Sequence, residues 1–126
     1  MNKYCIETGV GLIPWSPLYR GHLARPVGSA ETVRSEVTKK SPMFGGITEE
    51  DNVIIKRVEE LANKKGWKMS QVALAWIVQK QTIPIVGFSN LARLDEAVGV
   101  TGKKLSDEEM KYLEEPYIPK PISGHQ

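Results

Sequence analysis

The sequence predicts an α/β fold, and three observations carry that reading. Two short apolar runs, Val10–Pro14 and Ile83–Val86, suit buried strands of a parallel sheet. Helical periodicity fills much of the stretch between them. A long loop follows the first run and a capped helix follows the second, giving a βαβα order.

The elements follow in chain order. Residues Asn2 to Thr8 read as the last turns of a helix, with Gly9 as its stop. After the Val10–Pro14 strand, WSPLYRGHLARP holds two prolines, a glycine and two arginines, which argue for a loop without regular structure. Ser29 can cap a short helix to about Thr38, and Ser41 to Ile47 is loop. The strongest helix opens at Thr48, with Glu49, Glu50 and Asp51 at its positive end and Lys64 and Lys65 at the other, before Gly66. Its apolar face is Ile54, Ile55, Val58, Leu61 and Ala62. Ser70 is expected to cap QVALAWIVQK, which is apolar on nearly all sides and therefore buried. Ser106 and Glu109 have capping-box spacing for a helix to about Glu115, and the proline-rich residues 116–126 make an irregular tail.

The stretch Thr82 to Val98 organises the rest. Gly87 ends the second strand, and Ser89 or Asn90 can cap the helix that runs to about Val98. Backbone N–H groups at such a start attract an anion, and Arg93, one turn in, could fork onto a phosphate. An ordinary strand–turn–helix with a surface arginine explains the same residues. Two strands are also a poor sheet, leaving a wide apolar edge uncovered. The pattern reads as part of something larger.

Composition narrows the classes. The 126 residues suit one domain, with 40% hydrophobic and 25% charged residues. Net charge is +2, and lysine pairs such as Lys39–Lys40 and Lys103–Lys104 are scattered among acids, so no nucleic-acid stripe is expected. The one cysteine, Cys5, fits a reducing compartment. The longest apolar run, Val72 to Val78, is too short to cross a bilayer, and the first ten residues lack a signal-peptide core. A cytoplasmic protein is the expectation. His22 and His125 have no partner at ligand spacing, so no metal site is expected.

Four pieces together resemble the C-terminal part of an aldo-keto reductase: GLIPWSPLYRGHL, ELANKKGWKMSQVALAWIVQK, IPIVGFSNLARLDEAV and LSDEEMKYLEEPY. Their order and spacing match across almost the whole chain, and the LEEPYIPKPISGH ending resembles reductases from fungi. The resemblance implies a partial (β/α)8 TIM barrel in which Val10–Pro14 is the seventh strand and Ile83–Val86 the eighth, across residues 1–126. It implies NADP(H) as cofactor and a small carbonyl compound as substrate of the complete enzyme. Trp15 matches the aromatic that stacks on the nicotinamide, and Ser16, Pro17, Leu18 and Arg20 match the loop along the pyrophosphate. Gly87, Phe88, Ser89 and Asn90 match the turn around the adenosine 2′-phosphate, with Arg93 as its cation and Glu96 on the adenine side. Ala97 departs from the asparagine that many members carry there.

Each assignment has a plainer competitor. Trp15 could be a core aromatic, Arg20 and Arg25 solvated loop charges, and Arg93 a partner of Asp95 or Glu96. Trp67 and Trp76 read as packing residues. The tyrosine, lysine, aspartate and histidine of the family's chemistry lie on earlier strands, and Tyr4, Tyr19, Tyr112 and Tyr117 match none of those positions. No such set at strand ends is expected from this chain, so no catalytic residue is assigned. Three functions remain open: the cofactor-binding part of a reductase whose other partner is the N-terminal half of the barrel, a non-catalytic NADP(H)-binding or barrel-docking protein, and a truncated product without activity.

Overall fold

The computed structural model describes residues 2–30, 36 and 46–120. The helix expected from Ser29 to Thr38 and the loop at Ser41–Ile47 fall largely outside the described residues, as does the end of the tail. Among the described residues, helix α1 spans Asn2–Thr8, α2 Glu49–Lys65, α3 Met69–Gln79, α4 Leu91–Val98 and α5 Asp107–Glu114.

Local chemistry sets most of the helix ends. In α2 the Asp51 N–H donates to Thr48 Oγ1 at 3.3 Å and the Thr48 N–H donates to Asp51 Oδ2 at 3.0 Å, a reciprocal capping box. Gly66 closes that helix at φ 64°, a left-handed position that costs glycine little. Ser106 and Glu109 make the same box for α5. One start differs from expectation. The α3 helix begins at Met69, because the Lys68 N–H donates to Gln71 Oε1 at 3.2 Å, and this leaves Ser70 inside the helix and buried.

The core lies among the helices. Ile55, Val58, Leu61 and Ala62 of α2 meet Met69, Val72 and Ala75 of α3, with Leu105 and Leu113 closing one side. Val72 and Leu74 are fully enclosed, whereas the end of α3 is not buried as expected, with Val78 exposed. Gln79 reaches across to hold the backbone before α5: its Nε2 donates to the Leu105 carbonyl at 3.0 Å and its Oε1 accepts from the Leu105 N–H at 2.7 Å.

The two apolar runs do pair in parallel, through bridges Leu12–Thr82 and Trp15–Ile85. The Ile83 N–H donates to the Leu12 carbonyl at 2.8 Å and the Ile85 N–H to the Pro14 carbonyl at 2.9 Å. Pro14 and Pro84 each remove a donor, which keeps the ladder to single bridges. Burial differs from the expectation of strands covered on both faces. Leu12, Pro14, Thr82, Pro84 and Val86 are half-buried, whereas Ile13 (66%), Trp15 (64%), Ile83 (71%) and Ile85 (57%) are exposed. The side-chain period of two explains the alternation, with one face covered by the rest of the chain and the other bare.

The segment after the first run also differs from a plain loop. Tyr19–Ala24 winds as a 310 helix broken by left-handed backbone at Arg20 (φ 57°) and Gly21 (φ 96°). No described helix is long and apolar enough to cross a membrane.

Candidate functional site

Parallel pairing puts the exits of both extended runs at one end of the molecule. Trp15 bridges Ile85, so the residues that follow each run start side by side: Ser16 to Arg20 on one, Gly87 to Arg93 on the other. The structure thus brings together the two groups that the sequence singled out separately.

In the first group, Ser16, Tyr19 and Arg20 all have positive φ (54°, 47° and 57°) although none is glycine. The Tyr19 N–H donates to the Ser16 carbonyl at 3.0 Å, and the Gly21 and Leu23 N–H groups donate to the Leu18 carbonyl at 2.9 and 3.2 Å. The Arg20 guanidinium lies 4.6 Å over the Tyr19 ring. Pro17 and Leu18 are half-buried, while the Trp15 ring is open to solvent.

In the second group, Asn90 is the cap: its Oδ1 accepts from the Arg93 N–H at 3.0 Å. Ser89 keeps its hydroxyl outside that bond and accepts from Arg93 Nη1 at 3.0 Å, which fixes the guanidinium over the first turn of α4. Gly87 and Phe88 are exposed beside them. Glu96 faces elsewhere. Its carboxylate accepts from the Ser70 hydroxyl, and its carbonyl accepts from Gln71 Nε2 at 2.9 Å, tying α4 to α3. A cleft of about 150 Å³ lined by His22, Arg25, Ile47 and Ile55 contains none of the residues of these two groups. They form an open surface.

Sequence reading missed a cluster beside the first group. The Tyr19 hydroxyl donates to Asp51 Oδ2 at 3.2 Å, and Lys120 Nζ donates to both Asp51 oxygens at 2.6 and 2.5 Å. His22 sits against the same phenol, with ring centroids 5.4 Å apart. A tyrosine, an aspartate, a lysine and a histidine thus meet between the 310 helix, the first turn of α2 and the tail, away from the strand ends to which the expectation of no such set applied. Their wiring opposes proton donation. Burial, then the Asp51 charge, raises the Tyr19 phenol above its ordinary value, and the ammonium is spent on the carboxylate. Burial alone would raise Asp51, but the Lys120 bond and the Thr48 N–H outweigh it and hold the carboxyl below the usual range. Tyr112 is likewise held protonated by its bond to Glu60 Oε2 at 2.5 Å, and Tyr4 and Tyr117 are exposed. The one signal for the cluster was Asp51 itself, which reads as a helix-start residue and has capacity for further donors.

Residues 1–118 match the model of the aldo/keto reductase family. The chain belongs to the aldo/keto reductase family. An aldo-keto reductase of Fusarium vanettenii is 46% identical over 126 residues, which is 99% of this chain and 34% of that protein. Versiconal hemiacetal acetate reductase of Aspergillus parasiticus is 49% identical over 125 residues, 97% of this chain and 36% of that protein. Among solved structures, a glycerol dehydrogenase from Gluconobacter oxydans superposes with a TM-score of 0.75 at 20% identity, over the whole chain and 40% of its own. That likeness bears on the fold, and places this aldo/keto reductase chain on part of a barrel. The chain spans about a third of the length of the relatives it matches.

Proposed function

We propose that this chain is the C-terminal, NADP(H)-binding part of an aldo-keto reductase barrel that reduces aldehydes or ketones, with its two extended runs as strands seven and eight. The observation that carries the reading is the parallel pairing, which sets the exposed Trp15 ring and the Ser89–Arg93 pair at one end of the molecule. Ligands of such barrels sit at the C-terminal ends of the strands, with phosphate sites after strands seven and eight.

The residues suit a dinucleotide phosphate. Trp15, 64% exposed, offers an aromatic ring for a flat group. Arg93, braced by Ser89 at the start of α4, offers a cation and helix-end N–H groups for a phosphate. Ser16 to Arg20 would border the diphosphate, while Glu96 is turned into α3 and would contribute through the position of α4. When bound, the cofactor supplies the hydride for a carbonyl carbon. The protein's own part here is to bind and orient.

Among the described residues, neither hydrogen-bonded tyrosine is tuned to give a proton to the carbonyl oxygen. Tyr19 and Tyr112 are both shifted upward, away from an acid that works near neutrality. We expect no turnover of a panel of aldehydes and ketones by the purified chain with NADPH, followed by NADPH oxidation. Activity gained on adding a separately made N-terminal part would support the reading. Turnover by the chain alone, with copurifying enzyme excluded, would refute it.

A further inference from the structure

Three non-glycine residues within five positions, Ser16, Tyr19 and Arg20, hold left-handed backbone. Such conformations are costly for side chains with a Cβ and persist where surrounding contacts over-determine them. The loop's own backbone bonds supply part of that support, and contacts from distant segments supply the rest. The Tyr19 hydroxyl is fixed by Asp51 at the first turn of α2, and Asp51 is in turn gripped through both oxygens by Lys120 of the tail. Lys120 also lies 6.0 Å from the Tyr19 ring, closing the triangle. Asp51 is mostly enclosed, with its side chain 12% exposed, which strengthens a charged contact relative to one in open water.

We propose that Tyr19, Asp51 and Lys120 form a latch by which the C-terminal tail sets the conformation of the Ser16–Arg20 loop. The three are positioning residues. With Lys120 engaged, Asp51 is held where it can accept from the phenol, and the loop keeps its left-handed turns. With Lys120 withdrawn, Asp51 keeps its cap bond to Thr48 but loses the brace that orients it toward Tyr19. The loop then relaxes without unfolding α2. The consequence for the cofactor rests on the function proposed above; the latch itself does not.

Hydrogen–deuterium exchange of the 126-residue chain tests the latch directly. The informative amides are those of Tyr19, Gly21 and Leu23, whose acceptors lie within the loop. In Lys120→Ala they should exchange about three- to ten-fold faster, while amides of Val72 to Ala75 in α3 keep the wild-type rate. Tyr19→Phe should speed the loop in the same way, and Lys120→Arg, which restores the ion pair, should return it to within about two-fold of wild type. Lys120→Ala with unchanged loop exchange would overturn the latch, as would equal acceleration in α3 or an unprotected loop in the wild type. NADPH titration of the same proteins separates the two claims. Weaker binding by Lys120→Ala alongside the faster loop supports both, whereas a wild type that binds no nucleotide removes the cofactor reading and leaves the exchange result to judge the latch.

Discussion

Arg93 shows how a single side chain is prepared for a charged ligand. Its backbone N–H closes the Asn90 cap and its guanidinium rests on Ser89, so little conformational freedom remains to be lost on binding. In a barrel completed with its N-terminal part, Arg93→Ala should weaken NADPH binding about ten- to a hundred-fold, the worth of one charge-assisted bond. NADH, which lacks the 2′-phosphate, should be nearly unaffected. Equal losses in calorimetric titrations of both cofactors would make Arg93 structural. Glu96 teaches the converse. The family resemblance places it on the adenine side, and here its carboxylate accepts from Ser70, a residue that looked like a helix cap. The Ser70 cap was misread for a simple reason: a serine's hydroxyl serves a local cap or a distant partner equally well, and sequence shows only the local option. The Tyr19–Asp51–Lys120 contacts lie further beyond such reading, being separated by 32 and 69 positions.

Helix boundaries were the most legible elements, because capping boxes are written within four residues. Thr48 caps α2 as expected, with Asp51 completing a box, and Ser106 with Glu109 folds as its spacing says. Removing a cap should cost about 1 kcal/mol, so Ser106→Ala should lower the denaturation midpoint modestly. Truncating Leu74→Ala, inside the fully buried face of α3, should cost roughly 2–5 kcal/mol. Chemical denaturation of both variants would check the ranking, and a larger loss for the cap would contradict this account of the core. Glu109 adds a pH dependence. Burial would raise it, but Lys65 at 2.9 Å and the Ser106 N–H outweigh that and depress it. A depressed carboxyl contributes stability that is fully present above its ordinary value near 4 and is lost as pH falls through the lower folded value. Asp51 has the same sign. Stability should therefore be flat near neutrality and fall below about pH 4, less steeply when both Glu109 and Asp51 are replaced by their amides. Apolar runs were less legible than caps. They pair in parallel through two isolated bridges rather than as full strands, and a run of isoleucines does not say what covers its second face.

At the scale of the molecule, the chain has a well-buried helical side and an uncovered sheet side. Ile13, Trp15, Ile83 and Ile85 stand on that bare face, and Leu91, Leu94 and Val98 leave a second apolar stripe along α4. Unpaired strand edges beside exposed apolar surface invite association. Sedimentation of the isolated chain should show self-association rising with concentration, and suppression when an N-terminal part is supplied. A monomer at every concentration would show that this face is tolerated bare.

The three tryptophans turn that asymmetry into an optical gauge. Trp67 and Trp76 are half-buried, Trp67 with the ammonium groups of Lys65 and Lys103 each 4.8 Å from its ring, and Trp76 with its Nε1 donating to Glu114 at 2.9 Å. Trp15 alone among them projects from the bare face into water. Its emission should lie to longer wavelength than that of the other two for as long as that face is wet. Whatever covers the face, whether a second copy or an N-terminal part, must dehydrate this indole and move its emission to shorter wavelength. In a chain carrying Trp15→Phe the shift would vanish, so the protein reports the closing of its own open side without an added dye.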